Sequence, residues 1–268
     1  MLKLMYITND PAIAKIAEDA GVDWIFIDME YLDKASRQGG LDSVQNHHTV
    51  EDVRKVKKCL TRSQLLVRCN HLYNGSKEEI DGIIENGADI VMLPYFKTVR
   101  EVKLFLDYVG GRAKTCLLVE TAEAGMLIDE ILDLPGIDMI HIGLNDMHLA
   151  LGMKFMFELL ADGTVDWLAN KIKAKGIPFG FGGLASLDGG AIPGAMILKE
   201  HYRLGSSMVI VSRSFCNTDI ITDKNVIRST FIEGIKQIRQ LENEAIEASH
   251  YFSANHEAVI KAVNEIIK

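Results

Sequence analysis

The chain has 268 residues, 48 % hydrophobic and 25 % charged, with a formal net charge of −8 from 29 Lys and Arg against 37 Asp and Glu. These fractions are those of an ordinary globular protein and exclude a collagen or a disordered chain, and the length suits one large domain or two small ones. No apolar run approaches the ~20 residues of a membrane span, and the acidic balance argues against non-specific nucleic-acid binding, which needs a basic patch, without forbidding an anionic substrate in a locally positive site.

From the N-terminus onward, the first ten residues lack the apolar core and small-residue cleavage site of a signal peptide. The four cysteines (Cys59, Cys69, Cys116, Cys216) form no CxxC pair, so neither a disulfide framework nor a zinc motif is indicated and a reducing cytoplasm is expected. Short apolar runs then alternate with amphipathic stretches. Strands are predicted at 3–8, 24–28, 65–69, 90–93, 115–120, 139–143, 178–181 and 208–211. Most are continuously apolar, as parallel strands covered on both faces should be. Helices are predicted at 11–20, 50–60, 77–86, 99–108, 126–132, 165–175 and 194–204. Asn9-Asp10-Pro11 is a helix start, and Gly21 and Gly87 stand where left-handed C-cap glycines belong. The sequence shows no linker and no internal repeat. Eight such units predict an α/β fold, a (β/α)8 TIM barrel over 1–222. The rival, a doubly wound open sheet, would usually carry a Gly-rich loop after its first strand. Residues 223–268 exceed one barrel helix and hold two helical patterns, 226–243 and 256–267, expected to cap the barrel or to exchange with a neighbouring subunit.

Barrel chemistry sits where strands end. Those ends carry Asp28, Glu30 and Tyr31 (strand 2), Arg68 (strand 3), Glu120 (strand 5), Gly143, Leu144, Asn145 and Asp146 (strand 6), Gly182 and Gly183 (strand 7), and Ser212 and Arg213 (strand 8). Converging carboxylates need a cation or a proton between them. Glu120 and Asp146 with waters would suit octahedral Mg²⁺ or Mn²⁺, with Co²⁺ also possible. Arg68 would supply a planar cation to a carboxylate or enolate oxygen, and a metal beside an arginine suits a 2-oxo acid. Each residue also has a plain structural account: Asp146 as a helix cap, Glu120 paired with a lysine, Arg68 in a rim salt bridge.

Ala20-Gly21-Val22-Asp23-Trp24 through Asp28-Met29-Glu30 resembles the AGxDWxxxDxEH signature of the metal-dependent (class II) pyruvate aldolases, the family of 4-hydroxy-2-oxoheptanedioate and 2-keto-3-deoxy sugar-acid aldolases, related to the citrate lyase β subunit. Leu66-Val67-Arg68, Gly87-Ala88 through Pro94, Val119-Glu120-Thr121, and Gly136-Ile137-Asp138 through Gly143 and Asp146 match its further motifs in order, over about residues 10–152. The resemblance implies a metal on Glu120 and Asp146, Arg68 on the enolate oxygen, Asp28 and Glu30 positioning metal-bound water, and aldol cleavage to pyruvate and an aldehyde. It also implies a homo-oligomer, a hexamer or smaller.

Three departures stand out. Tyr31 occupies the place of the family's histidine base, with Glu85 where its acidic partner would be. Tyrosine's pKa near 10 makes it a poor base at neutral pH, so His47, His48, His71 and His148 become candidate substitutes. The loop before strand 5 is cut to residues 108–114, which leaves aldehyde specificity open. Finally, Gly182, Gly183, Ser212 and Arg213 lie where many barrels bind phosphate. They would hold a phosphate or second carboxylate, or the glycines only let the chain turn while Arg213 pairs with an acid. The expected activity is thus a metal-dependent carbon–carbon lyase on a small, sugar-derived 2-oxo acid. The alternatives are a citrate- or citramalyl-lyase-like enzyme, an enolate-forming dehydratase with Tyr31 as proton donor, or a non-catalytic metabolite-binding homologue.

Overall fold

In the computed structural model, which describes residues 1–32, 46–247 and 249–268, the eight strands pair in parallel in sequence order and the last closes on the first. They are β1 (Lys3–Ile7), β2 (Trp24–Asp28), β3 (Gln64–Arg68), β4 (Ile90–Leu93), β5 (Lys114–Val119), β6 (Met139–Ile142), β7 (Phe179–Leu184) and β8 (Met208–Val211). The expected barrel is therefore present, and an open sheet with two edges is not.

Side chains alternate between the two faces of each strand, and both faces are covered. Met5, Trp24, Phe26, Leu66, Met92, Leu118, Met139 and Met208 pack inside the barrel. Their neighbours Leu4, Ile25, Val67, Val91, Leu117 and Ile140 face the helices. Two residues on from Phe26, Leu66, Leu118 and Met139, the same inward alternation reaches Asp28, Arg68, Glu120 and His141. The interior thus changes from apolar to charged at the strand ends.

Among the described residues the helices are α1 (Pro11–Ala20), α2 (Val50–Cys59), α3 (Ser76–Glu85), α4 (Val99–Val109), α5 (Ala122–Met126), α6 (Ile128–Leu132), α7 (Leu144–Ala150), α8 (Glu158–Ala161), α9 (Thr164–Ala174), α10 (Gly194–Leu204), α11 (Lys224–Glu247) and α12 (Phe252–Ile267). Asp10 caps α1 by accepting the amides of Ala12 and Ile13, and Gly21 ends it at φ 104°. Thr49 with Asp52 and Thr98 with Glu101 form capping boxes on α2 and α4. The single helix expected at 126–132 is instead the pair α5 and α6. Thr121 starts α5 earlier, its hydroxyl accepting the Ala124 amide, and Leu127 at ψ 12° interrupts the run. The short α7 and α8 carry too few turns to show a helical period in sequence.

A repeat that escaped the sequence reading appears where strands begin. Gly21-Val22-Asp23, Gly87-Ala88-Asp89 and Gly136-Ile137-Asp138 precede β2, β4 and β6, with glycine φ values of 104°, 101° and 94°. Each aspartate accepts the amide of the second residue of the preceding strand: Asp23 from Leu4 at 3.0 Å, Asp89 from Leu65 at 2.7 Å and Asp138 from Thr115 at 2.8 Å. The Gly-x-Asp triplet staples strands in pairs. Before β8 the triplet becomes Gly205-Ser206-Ser207, and serine hydroxyls donate to the Phe179 carbonyl instead.

α11 packs on α1, and α12 packs on α8 and α10 of the same chain. Glu200, fully buried in α10, accepts from Arg203 at 2.7 Å, Asn255 at 2.9 Å and His256 at 3.0 Å. The start of the chain is tied to α11: the Leu2 amide donates to Glu242 at 2.6 Å, and Arg239 donates to the Leu2 carbonyl, Glu242 and Asp23.

Candidate functional site

A cavity of about 900 Å³ opens at the strand ends, lined in part by Arg68, Glu120, His141, Gly143, Asn145 and Asp146. On one side Asp28, Glu30 and Arg68 form a buried ionic group. The Arg68 fork grips Asp28 through Nε and Nη2, both at 2.8 Å, and Nη1 lies 3.3 Å from Glu30. Asn46 donates to the second Asp28 oxygen at 2.8 Å. Although burial works against its charge, Asp28 and Glu30 hold the Arg68 guanidinium protonated far above its usual range. A guanidinium has five N–H donors, so these contacts leave donors for a ligand. Arg68 is thus in a salt bridge, but deep in the barrel rather than at the rim.

Glu120 stands across the cavity, almost fully buried. Its Oε1 accepts the Tyr95 amide at 3.0 Å. Tyr95 sits at φ 48°, the one positive φ outside glycine among the described residues, a conformation that bulky residues adopt only when their surroundings hold them there. Gly143 packs beneath the carboxylate: a Cβ there would lie 2.7 Å from Glu120 Cβ and 2.8 Å from Oε2. Asp146 falls in the first turn of α7, whose N-cap is Gly143. It is therefore not the cap of that helix, and the helix dipole favours its negative charge there.

These two carboxylates fit a hard divalent cation better than zinc. They offer oxygen only, and no group of three or more His, Cys, Asp or Glu that could hold a metal occurs among the described residues. A closed zinc site needs four protein ligands, whereas Mg²⁺ is held by one or two carboxylates with waters and substrate oxygens. Any side chain at position 143 would press on the Glu120 carboxylate.

The remaining predicted residues divide. Leu144 is buried, and its Cδ1 lies 2.8 Å from where a Cβ on Gly182 would be, so glycine at φ 51° is required there. Gly183, Ser212 and Arg213 line the cavity with Gly182, and the Ser212 and Ser214 hydroxyls are 2.7 Å apart. Tyr31 is 52 % exposed and off the cavity wall. Glu85 is exposed at the C-terminal end of α3, where the chain turns toward the start of β4. Neither Tyr31 nor Glu85 therefore lines the cavity. Glu79, earlier on α3, is also off the cavity wall but is tied to the segment after β2. It accepts from the amide and side chain of Asn70, whose Oδ1 takes the amides of Tyr31 and Leu32. Burial raises the Glu79 pKa above its ordinary value.

Of the four candidate imidazoles, His47 and His71 are off the wall, while His48 and His148 line it. The Asp28 amide donates to His48 Nδ1 at 3.0 Å. His148 Nδ1 is 3.2 Å from the Leu144 carbonyl, which can only accept, so Nδ1 is the donor of this bond and Nε2 is the ring's other nitrogen. Sequence reasoning missed His141, Asn46 and Tyr95. His141 faces inward from β6 and bonds the Gly182 carbonyl at 3.0 Å; burial pushes its pKa down to about 4, so it is neutral. Strand parity alone could have found it. Most of the loop after β2 lies outside the described residues.

The HpcH/HpaI aldolase/citrate lyase family matches residues 3–158, more than half of the chain. The chain belongs to that family. The family is one of aldolases and citrate lyases, so the chain is an enzyme of the aldolase or lyase kind. Among solved structures, the chain is similar to an HpcH/HpaI aldolase from Desulfitobacterium hafniense DCB-2 (17 % identity, 84 % of this chain and 91 % of that one, TM-score 0.62). It is similar to an HpcH/HpaI aldolase/citrate lyase family protein from Burkholderia cenocepacia J2315 (16 %, 89 % and 94 %, 0.61). A citrate synthase, SbnG, is also similar (15 %, 84 % and 92 %, 0.62). At these identities the structures share the fold. No curated protein matches the chain in sequence. No helix among the described residues is long and apolar enough to cross a membrane.

Proposed function

We propose that this protein is a divalent-metal-dependent aldolase that cleaves a small, sugar-derived 2-oxo acid to pyruvate and an aldehyde. The observation that carries this reading is the pairing, across one cavity, of two oxygen-donor carboxylates, Glu120 and Asp146, with a buried, permanently charged arginine. Glu120 and Asp146 would hold the metal. When bound, Mg²⁺ or Mn²⁺ supplies Lewis-acid polarisation of the substrate's oxygens. Arg68 donates its remaining N–H groups to the oxygen on which charge develops, and Asp28 and Glu30 keep its plane fixed. Leu144 and Asn145, which line the cavity next to Asp146, would contact the substrate. His148 Nε2, an acceptor on the wall, takes the proton that the family's histidine would take at the position of Tyr31. Gly182, Gly183, Ser212 and Arg213 bind a distal phosphate or carboxylate of the substrate. The assembly would be a homo-oligomer, read by sedimentation.

Incubation with pyruvate in D₂O tests the reading. Exchange of the methyl protons that needs Mg²⁺ or Mn²⁺, stops with EDTA and is lost in Glu120→Ala supports it. Binding of Mn²⁺ with no exchange refutes pyruvate as the donor. The likeness in fold to a citrate synthase keeps a second reading in view, condensation or cleavage at a carboxylic-acid partner. That reading expects citrate-type products and no aldehyde.

A further inference from the structure

β7 does not run evenly beside β8. Gly180 pairs with Met208 and Gly183 with Ile210, so two residues of β7, Phe181 and Gly182, stand opposite one of β8, Val209. That is a bulge, the irregularity that re-aims a strand beside a site. Gly182 absorbs it at φ 51°, and Gly182 and Gly183 both line the cavity. A peptide between two glycines has few steric constraints on its orientation. Its C=O and N–H point in opposite directions. Turned one way it offers an anion a donor, and turned the other way it opposes the anion with a carbonyl oxygen.

His141 holds this peptide. It lies on β6 opposite Gly180, where a Cβ would strike the Met208 carbonyl, so β7 carries no side chain beside the ring. A carbonyl can only accept, so His141 Nε2 carries the proton of the 3.0 Å bond to Gly182. Nδ1 is buried with no hydrogen-bond partner among the described residues, a cost that phenylalanine would not incur. What histidine adds at this place is the bond to the bulge.

We propose that His141 is a positioning residue for an anion subsite: it keeps the Gly182 carbonyl bound inside the barrel, so that the 182–183 peptide does not turn that oxygen toward a distal phosphate or carboxylate of the substrate. The proposal rests on the reading of Gly182, Gly183, Ser212 and Arg213 as that subsite. The peptide borders its β8 side, since a Cβ on Gly183 would lie 3.6 Å from the Ser212 Cβ. Burial keeps the ring neutral. It therefore orients the peptide without adding charge to the wall, and phenylalanine in its place removes the bond while leaving the charges as they are.

Aldol addition of pyruvate to a matched pair of aldehydes, glyceraldehyde and glyceraldehyde 3-phosphate, tests this on the Mg²⁺-loaded protein. The wild type should show the lower KM for the phosphorylated aldehyde. That preference, the ratio of the two KM values, should fall about tenfold in His141→Phe, the size of one lost hydrogen bond to a charged group. It should return to within about threefold of wild type in His141→Gln, whose side-chain amide can donate in place of Nε2–H. On the wild type, histidine-selective ¹⁵N NMR should show a protonated Nε2 and a bare Nδ1, with the His141 signals assigned by their loss in His141→Gln. This arm stands even if His141→Phe does not fold. A preference kept in His141→Phe, equal loss in His141→Gln while both variants melt cooperatively, or a proton on Nδ1 overturns the proposal. A wild type that treats the two aldehydes alike refutes the anion subsite itself, and the positioning role falls with it. Absence of pyruvate methyl exchange in the wild type refutes the 2-oxo-acid reading beneath both.

Discussion

The two ends of the barrel use the same residue types for opposite purposes. Where strands begin, carboxylates are saturated by the backbone. Glu18 Oε1 accepts the amides of Thr61, Arg62 and Ser63 at 2.7–2.8 Å, while Oε2 takes Lys15. Asp23, Asp89 and Asp138 each take a strand amide. Where strands end, Asp28 and Glu30 face a guanidinium, and Glu120 lines the cavity while its Oε1 accepts the Tyr95 amide. A carboxylate wrapped in amides is a staple with nothing left to offer. One set against a cavity can still bind a cation or substrate. In this fold, function is marked by what a carboxylate's oxygens face rather than by its burial.

Four substitutions would break or sharpen that contrast. Glu120→Ala should lower metal-dependent methyl exchange by more than about 100-fold, since losing even an outer-shell partner of a metal costs 10–100-fold; its melting temperature should change little. Glu18→Ala should do the reverse. It strands three amides and should cost about 3 kcal/mol or more in urea unfolding, at 1–3 kcal/mol per unsatisfied group, with exchange per folded molecule unchanged. Gly143→Ala puts a methyl against Glu120. It should reduce Mn²⁺ affinity about tenfold and destabilise by about 1–3 kcal/mol, as overpacking does. Tyr95→Gly is the mildest. It keeps the backbone donor to Glu120, relieves the positive φ and should shift stability by about 1 kcal/mol or less.

Acid titration adds a fifth test. Despite burial, bonds from Lys15 and the backbone amides of residues 61–63 hold the Glu18 pKa down to about 2 from 4.5. A depressed carboxylate stabilises the fold above its unfolded pKa and loses that contribution as pH falls. Wild-type stability should therefore drop between pH 4.5 and about 2, and Glu18→Gln should flatten that part of the profile.

The barrel was legible because its strands are buried on both faces and read as continuous apolar runs. Arg68, Glu120 and Asp146 were legible because they sit at strand ends inside recognisable motifs. Not every residue of those motifs serves the cavity: Asp23, Asp89 and Asp138 lie in the stretches that signal the family, and they are staples at the far end from it. Their Gly-x-Asp repeat spans only three residues at spacings of 66 and 49, too short and uneven to stand out as periodic. Glu85 followed from alignment along α3, but a helix running antiparallel to the strands carries its last turn away from the mouth. Glu79, near the first turn, bonds Asn70 at the end of β3 instead. His48 could not be ranked above His47 from sequence, because only three-dimensional contact with the Asp28 amide separates them.

The knot joining Leu2 to Arg239 and Glu242 has a consequence for how the protein is made. β1 is the first strand to leave the ribosome, yet its neighbour β8 and the side chains that clasp Leu2 come more than 200 residues later. At 5–20 residues per second, that is a wait of roughly 10–40 s. Through that interval β1 has β2 on one side and an open edge on the other, the kind of edge that invites pairing with another chain. α11 therefore acts as the closing clasp of a ring. Release of the chain before residue 242 should leave a barrel with a seam, and the first symptom should be self-association rather than loss of helix.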